Sequence, residues 1–132
     1  MRSMSAEGYI RSSVIDLNFP SDISMGSRLN LSVFDANFPR AISLYGFNAA
    51  YMPSAPTVVA GSQTKIEFFD GSSSSVLLAF DVTPGGLATP SSIHWIMRNS
   101  YLRISEGLEV LVSHSGGGSD TGVYLFLSVL YQ

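Results

Sequence analysis

The sequence predicts an all-β protein, an antiparallel β-sandwich of jelly-roll or Greek-key type with about eight to ten short strands. Three observations predict it. Short segments alternate apolar and polar residues with the period of two that belongs to strands. Turn residues recur between them, rich in Gly, Pro, Asp, Asn and Ser. No long stretch carries 3.6-residue periodicity with helix formers, so βαβ units are excluded.

The chain is organised around its closing stretch, TGVYLFLSVLYQ at residues 121–132. Val123, Leu125, Leu127, Val129 and Tyr131 fall on one face of a strand, and Tyr124, Phe126, Ser128 and Leu130 on the other. Apolar residues on both faces need cover on both sides, so this is a central strand or one buried between subunits.

Residues 1–12 read as a polar arm, in which Tyr9 and Ile10 could anchor on a neighbouring subunit. Residues 13–132 read as one sandwich domain. In its first strand Val14, Asp16 and Asn18 alternate with Ile15, Leu17 and Phe19, and Pro20 stops the ladder. RLNLSVF at 28–34 predicts a second strand, with Leu29, Leu31 and Val33 inward. AISLYGFNAAY at 41–51 is a longer one, and Gly46 within it predicts a bulge or a close backbone approach. Strand pieces follow at 57–60 and 64–69, where Ile66 and Phe68 alternate with Lys65, Glu67 and Phe69. Asp70-Gly71 and four serines turn the chain into a partner strand at 75–82. IHWIM, YLRIS and LEVLVSH predict three more strands, the last with Leu108, Val110 and Val112 on one face. The SGGGSD loop then leads into the closing strand.

Composition narrows the function. Charged residues make up 13% of the 132, half of what is usual for a soluble protein, and Lys65 is the sole lysine. Either the exterior is largely neutral Ser, Thr, Asn and Gly, or part of it is buried against partners. The second reading is favoured, because core-like interfaces lose Lys and Glu but keep Arg and aromatics. A net charge of −3 with arginines scattered singly excludes nucleic acid as the main ligand. Without cysteine there are no disulfides or thiolate metal sites. The sequence shows no secretory h-region and no apolar run of about 18 residues for a membrane helix. Synthesis in a cytoplasm, without membrane insertion, is the expectation.

No catalytic signature emerges. His94 sits beside Trp95 in a strand, where a packed strand residue is the plainer reading. Ser113, His114 and Asp120 can be written as a triad, but Ser113 and His114 would point to opposite faces, and there is no nucleophile elbow. Gly116–Gly118 lacks the Lys-Ser or Lys-Thr of a phosphate loop. Asp35 and Asn37 fit an Asx turn better than a calcium loop. Neither catalytic residues, metal ligands nor cofactors are therefore expected. The aromatics point to contacts instead: Tyr45, Tyr51, Tyr101, Tyr124, Tyr131 and Trp95 exceed what so small a core requires. Trp95, Tyr101 and Tyr51 are the candidates for stacking on sugars, should the sandwich be a carbohydrate-binding module.

Several segments together carry a family likeness. They are FDANFPRAISLYGFNAAY at 34–51, KIEFFDGSSSSVLLAFDV at 65–82, YLRISEGLEVLVSHS at 101–115 and GVYLFLSVLYQ at 122–132, after a polar arm. In order and pattern they resemble small all-β structural proteins of tailed bacteriophages, notably capsid decoration (cement) proteins. The resemblance implies a non-enzymatic virion protein on the capsid surface, made in the host cytoplasm. It also implies a homo-oligomer, commonly a trimer, that binds the major capsid protein and stabilises its lattice. A head fibre or tail component fits equally. The interface expected on this reading comprises Tyr9, Ile10, Tyr124, Phe126 and Leu130.

Overall fold

The closing strand is central, as its two apolar faces require. In the computed structural model, residues 10–18, 26–53, 57–58, 63–82, 91–116, 118–119 and 123–132 are described. Their elements, in chain order, are strands β1 (Arg11–Asn18) and β2 (Arg28–Asn30), helix α1 (Leu31–Phe34), then strands β3 (Ile42–Pro53), β4 (Thr57–Val58), β5 (Gln63–Asp70), β6 (Leu78–Asp81), β7 (Ser91–Ile96), β8 (Leu102–Ile104), β9 (Leu108–Ser115), β10 (Gly118–Ser119) and β11 (Val123–Tyr131).

One sheet has the order β1-β11-β3-β7, with β8 also on β3; the other has β2-β9-β5-β6. Every pairing is antiparallel. The partners nest: β5 with β6, β3 with β7, β2 with β9, and β1 with β11. A long hairpin of strand pairs rolled over itself in this way is a jelly roll. A small ribbon of β4 and β10 joins the two connections that run from β3 to β5 and from β9 to β11.

The core lies between the sheets. Ile15, Leu17, Phe47, Tyr51, Leu125, Leu127 and Val129 come from the first sheet and meet Ile66, Phe68, Leu108, Val110 and Val112 from the second. Phe47 and Phe68 bridge the layers with ring centroids 4.6 Å apart, and Phe80 closes edge-on against Phe47 at 5.5 Å. The alternation predicted for β1, β9 and β11 is the alternation observed.

Two expectations are revised. RLNLSVF is not one strand. It pairs only through Asn30, then turns into α1, and Val33 is 79% exposed. Asn30 causes the turn: its side-chain oxygen accepts from the Ser32 N–H at 3.1 Å and the Ser32 hydroxyl at 2.6 Å. Asn competes locally with the sheet ladder in this way. Phe69 points outward as predicted but is buried, because the Arg28 guanidinium lies 3.9 Å above its ring. The strands β7 and β8 lie end to end along the same side of β3, which is therefore paired along nearly its whole length.

Gly46 shows both predicted features. Opposite it, β11 steps from Leu130–Gly46 to Tyr131–Leu44, so Tyr45 is the extra residue of a bulge. A Cβ on Gly46 would stand 2.5 Å from the Trp95 carbonyl oxygen. Gly46→Ala is therefore expected to destabilise the fold by about 2 kcal/mol, the usual cost of overpacking against backbone. Urea unfolding should show a lower midpoint with an unchanged slope; an unaltered midpoint would contradict the close approach.

Candidate functional site

The two outward faces of the sandwich differ in chemistry. On the β2-β9-β5-β6 sheet, Lys65, Glu67, Asp81, Glu109 and Arg28 face outward among Gln63, Leu111 and Ser113. Arg28 Nε pairs with Glu109 at 2.6 Å, and the Gln63 amide donates to Asp81 at 3.2 Å. This is a face built for water.

The β1-β11-β3-β7 sheet is different. Cross-strand rows run Asp16–Phe126–Ala50–Ser92, then Val14–Ser128–Asn48–His94, then Ser12–Leu130–Gly46–Ile96. Tyr124 and Met52 extend the apolar surface at one end. Val14 is 56% exposed and Ile96 47%. Among the described residues, the fully charged side chains on this face are Asp16, on β1, and Arg103, on β8. The Tyr124 hydroxyl bonds the Asp16 carboxylate, which raises the tyrosine pKa above its ordinary value, with desolvation and the negative charge acting in the same direction.

At one end of the second sheet lies a polar cluster. Both Asp70 carboxylate oxygens accept backbone N–H groups, from Ser105 at 3.0 Å and Glu106 at 2.8 Å. Asn30 donates to the Glu106 carbonyl at 3.0 Å, and Arg40 pairs with the Glu106 carboxylate. Gly107, at φ +97°, permits this approach, since a Cβ there would overlap Asn30. Every one of these partners belongs to the chain itself, so the cluster ties connections together.

The predicted site residues divide. Tyr124, Phe126 and Leu130 share the apolar outward face, half-buried, and Ile10 is exposed just before β1. Tyr9 lies outside the described residues. The sugar-stacking set does not assemble. Tyr51 is wholly buried in the core and offers no ring face, because it lies in the inward row of β3 with Phe47 and Ala49. Trp95 packs inward on Phe47 at 5.6 Å. Tyr101 is 51% exposed and leans on Tyr45, with centroids 5.6 Å apart. His94 is bonded to Asn48 on the neighbouring strand, and His114 Nδ1 to the buried Thr64 hydroxyl at 2.8 Å. Asp120 lies outside the described residues, and Asp35 and Asn37 form the Asx turn, with Asn37 N–H on Asp35 at 2.9 Å. No group of three or more potential metal ligands occurs among the described residues. Val14, Met52, Ile96 and Arg103 were missed as surface contributors. Alternation along Ser92, His94 and Ile96 is the signal that could have found one of them.

No family model matches the chain, and no curated protein does. Among solved structures, a chain of Desmodium yellow mottle tymovirus is similar over 93% of this chain and 85% of its own, with 12% identity and a TM-score of 0.43.

Two predictions follow from the geometry. Asp70→Ala strips two backbone donors of their acceptor and should cost about 2 kcal/mol in urea unfolding, with Asp70→Asn costing less; equal stability would show the bonds to be idle. Tyr124 should ionise above pH 10, so its contribution to stability is complete below that pH and is lost as pH rises through its folded value. Absorbance titration of wild type against Tyr124→Phe isolates it, and Asp16→Asn should bring its pKa back down.

Proposed function

We propose that the protein is a non-enzymatic structural component of a virus particle, a decoration subunit that binds the outer surface of a capsid lattice and associates with further copies of itself. The observation that carries this reading is the contrast between the two outward faces. One is rich in charge of both signs, with Arg28 and Glu109 paired across it; the other holds a band of apolar, hydroxyl and amide side chains with a charge at each end. An apolar band rimmed by polar groups marks a protein contact surface. The low overall charge supports the same reading.

The test is recovery of the protein with density-purified particles from producing cells, measured by quantitative mass spectrometry. Val14→Asp and Ile96→Asp alter exposed side chains, so folding should survive, as circular dichroism would verify. Incorporation should fall at least about tenfold, one buried charge being worth more than 1.4 kcal/mol. Absence of the wild type from particles, or undiminished incorporation of both variants, refutes the reading.

One observation favours a second reading, carbohydrate binding. The exposed Tyr101 ring stands by Tyr45 on the same outward face as Arg103 and Ser43. Loss of glycan-array signal in Tyr101→Ala would support it, and a blank wild-type array would remove it.

A further inference from the structure

We propose that the outward face of the β1-β11-β3-β7 sheet pairs with the same face of a second copy, about a two-fold axis lying between them. This rests on reading that face as an assembly surface, and it names the partner.

Size is the first argument. Four strands about 4.8 Å apart, over some eight residues of about 3.3 Å rise, give roughly 500 Å² per copy and 1,000 Å² in all. That reaches the threshold of about 1,000 Å² for a specific interface. It is a modest area, so the pairing belongs to the weaker, reversible class of self-association.

Charge is the second. Asp16 lies on one edge strand, two residues from its end at Asn18. Arg103 lies on the opposite edge, on β8, and at the opposite end, where β3 has reached Ser43. The two charges occupy diagonal corners of one face and are opposite in sign. An in-plane two-fold axis perpendicular to that diagonal exchanges the corners. Each Asp16 then meets the other copy's Arg103, and the contact is made twice. This is the self-complementarity that an isologous contact requires.

Composition of the centre is the third. The axis crosses the face between the row Val14–Ser128–Asn48–His94 and the row Ser12–Leu130–Gly46–Ile96, with Leu130 beside it and Phe126 and Ile96 on either side of it. Leu130 therefore comes close to the other copy's Leu130 and Phe126 to its Ile96, with Ser128, Asn48 and His94 between them, the mixed composition of a reversible contact. The opposite sheet is less suited, since its outward face mixes charges of both signs, of which Arg28 and Glu109 already pair with each other.

Charge reversal tests this. The full chain would be measured by light scattering and sedimentation velocity over a range of concentrations, as wild type, Asp16→Arg, Arg103→Asp and the double variant. Wild type should approach the mass of two 14.2 kDa chains. Each single reversal should raise the dissociation constant by about tenfold or more, through like charges set against each other, and the double should return close to wild type. Both side chains are exposed, and circular dichroism and thermal unfolding confirm that the variants fold. A monomer overturns the pairing and gives the face to the capsid protein. A trimer also overturns it, because three copies cannot all share one face-to-face contact. A double variant no tighter than the singles does the same. Incorporation into particles is read separately, so a monomer that still enters particles removes the pairing and leaves the virion role standing.

Discussion

The fold depends on the placing of β11. Its backbone bonds β1 on one side and β3 on the other, and its inward row of Leu125, Leu127, Val129 and Tyr131 is fully buried. Slipping it by one residue would turn that row to the outside and bring Phe126 and Leu130 within, so the register is strongly set by burial. Specific contacts reinforce it at one end. Tyr131 bonds the Ser13 hydroxyl at 2.8 Å and packs on Phe38, while Gln132 and Ser43 exchange two backbone bonds. With β11 seated, β1 and β3 are held at a definite offset, and the surface rows that cross all three strands follow from it.

The same strand explains why the molecule has two unlike surfaces. Phe126 and Leu130, which β11 presents outward, cannot be hidden by the residues opposite them on β1 and β3, which are small or polar: Asp16, Ala50, Ser12 and Gly46. They stand half-buried in a shallow floor. The other sheet has no such strand at its centre. There, the Phe69 ring faces out, and Arg28 covers it while bonding Glu109 and the carbonyls of Ser73 and Asp70. One apolar group is solvated by proxy; the other set is left for something else to cover.

Much of this was legible from alternation. The rows of β1, β9 and β11 emerge from period two alone, and Gly46 announced its own constraint because no side chain fits there. Alternation assigns residues to faces but says nothing about partners. Hence Tyr51 and Tyr101 looked equivalent as surplus aromatics, although one lies in the inward row of β3 and the other beyond the end of β7. The α1 turn was hidden because a local side-chain cap at Asn30 overrode a good apolar pattern. The diagonal of Asp16 and Arg103 could not be seen at all. It exists only once strand order puts β1 and β8 on opposite edges of one sheet.

The nesting of the strand pairs has a consequence for how the chain reaches this state. The innermost pair, β5 and β6, closes a short loop from Phe68 to Leu78, whereas the outermost, β1 and β11, joins Asn18 to Tyr124. Loop-closure entropy rises slowly with length, by about 0.6 kcal/mol per doubling, so the cheapest first contact is the inner hairpin. Each pair then shortens the loop remaining to the next. The zipper runs outward, and the strand on which the finished core depends is the last to be paid for in chain entropy. A topology this rich in distant contacts places the protein among slow folders, on the millisecond-to-second scale of β-sandwiches. Until that last pairing forms, the backbone edge of β3 that β11 occupies is open to any other extended segment that passes.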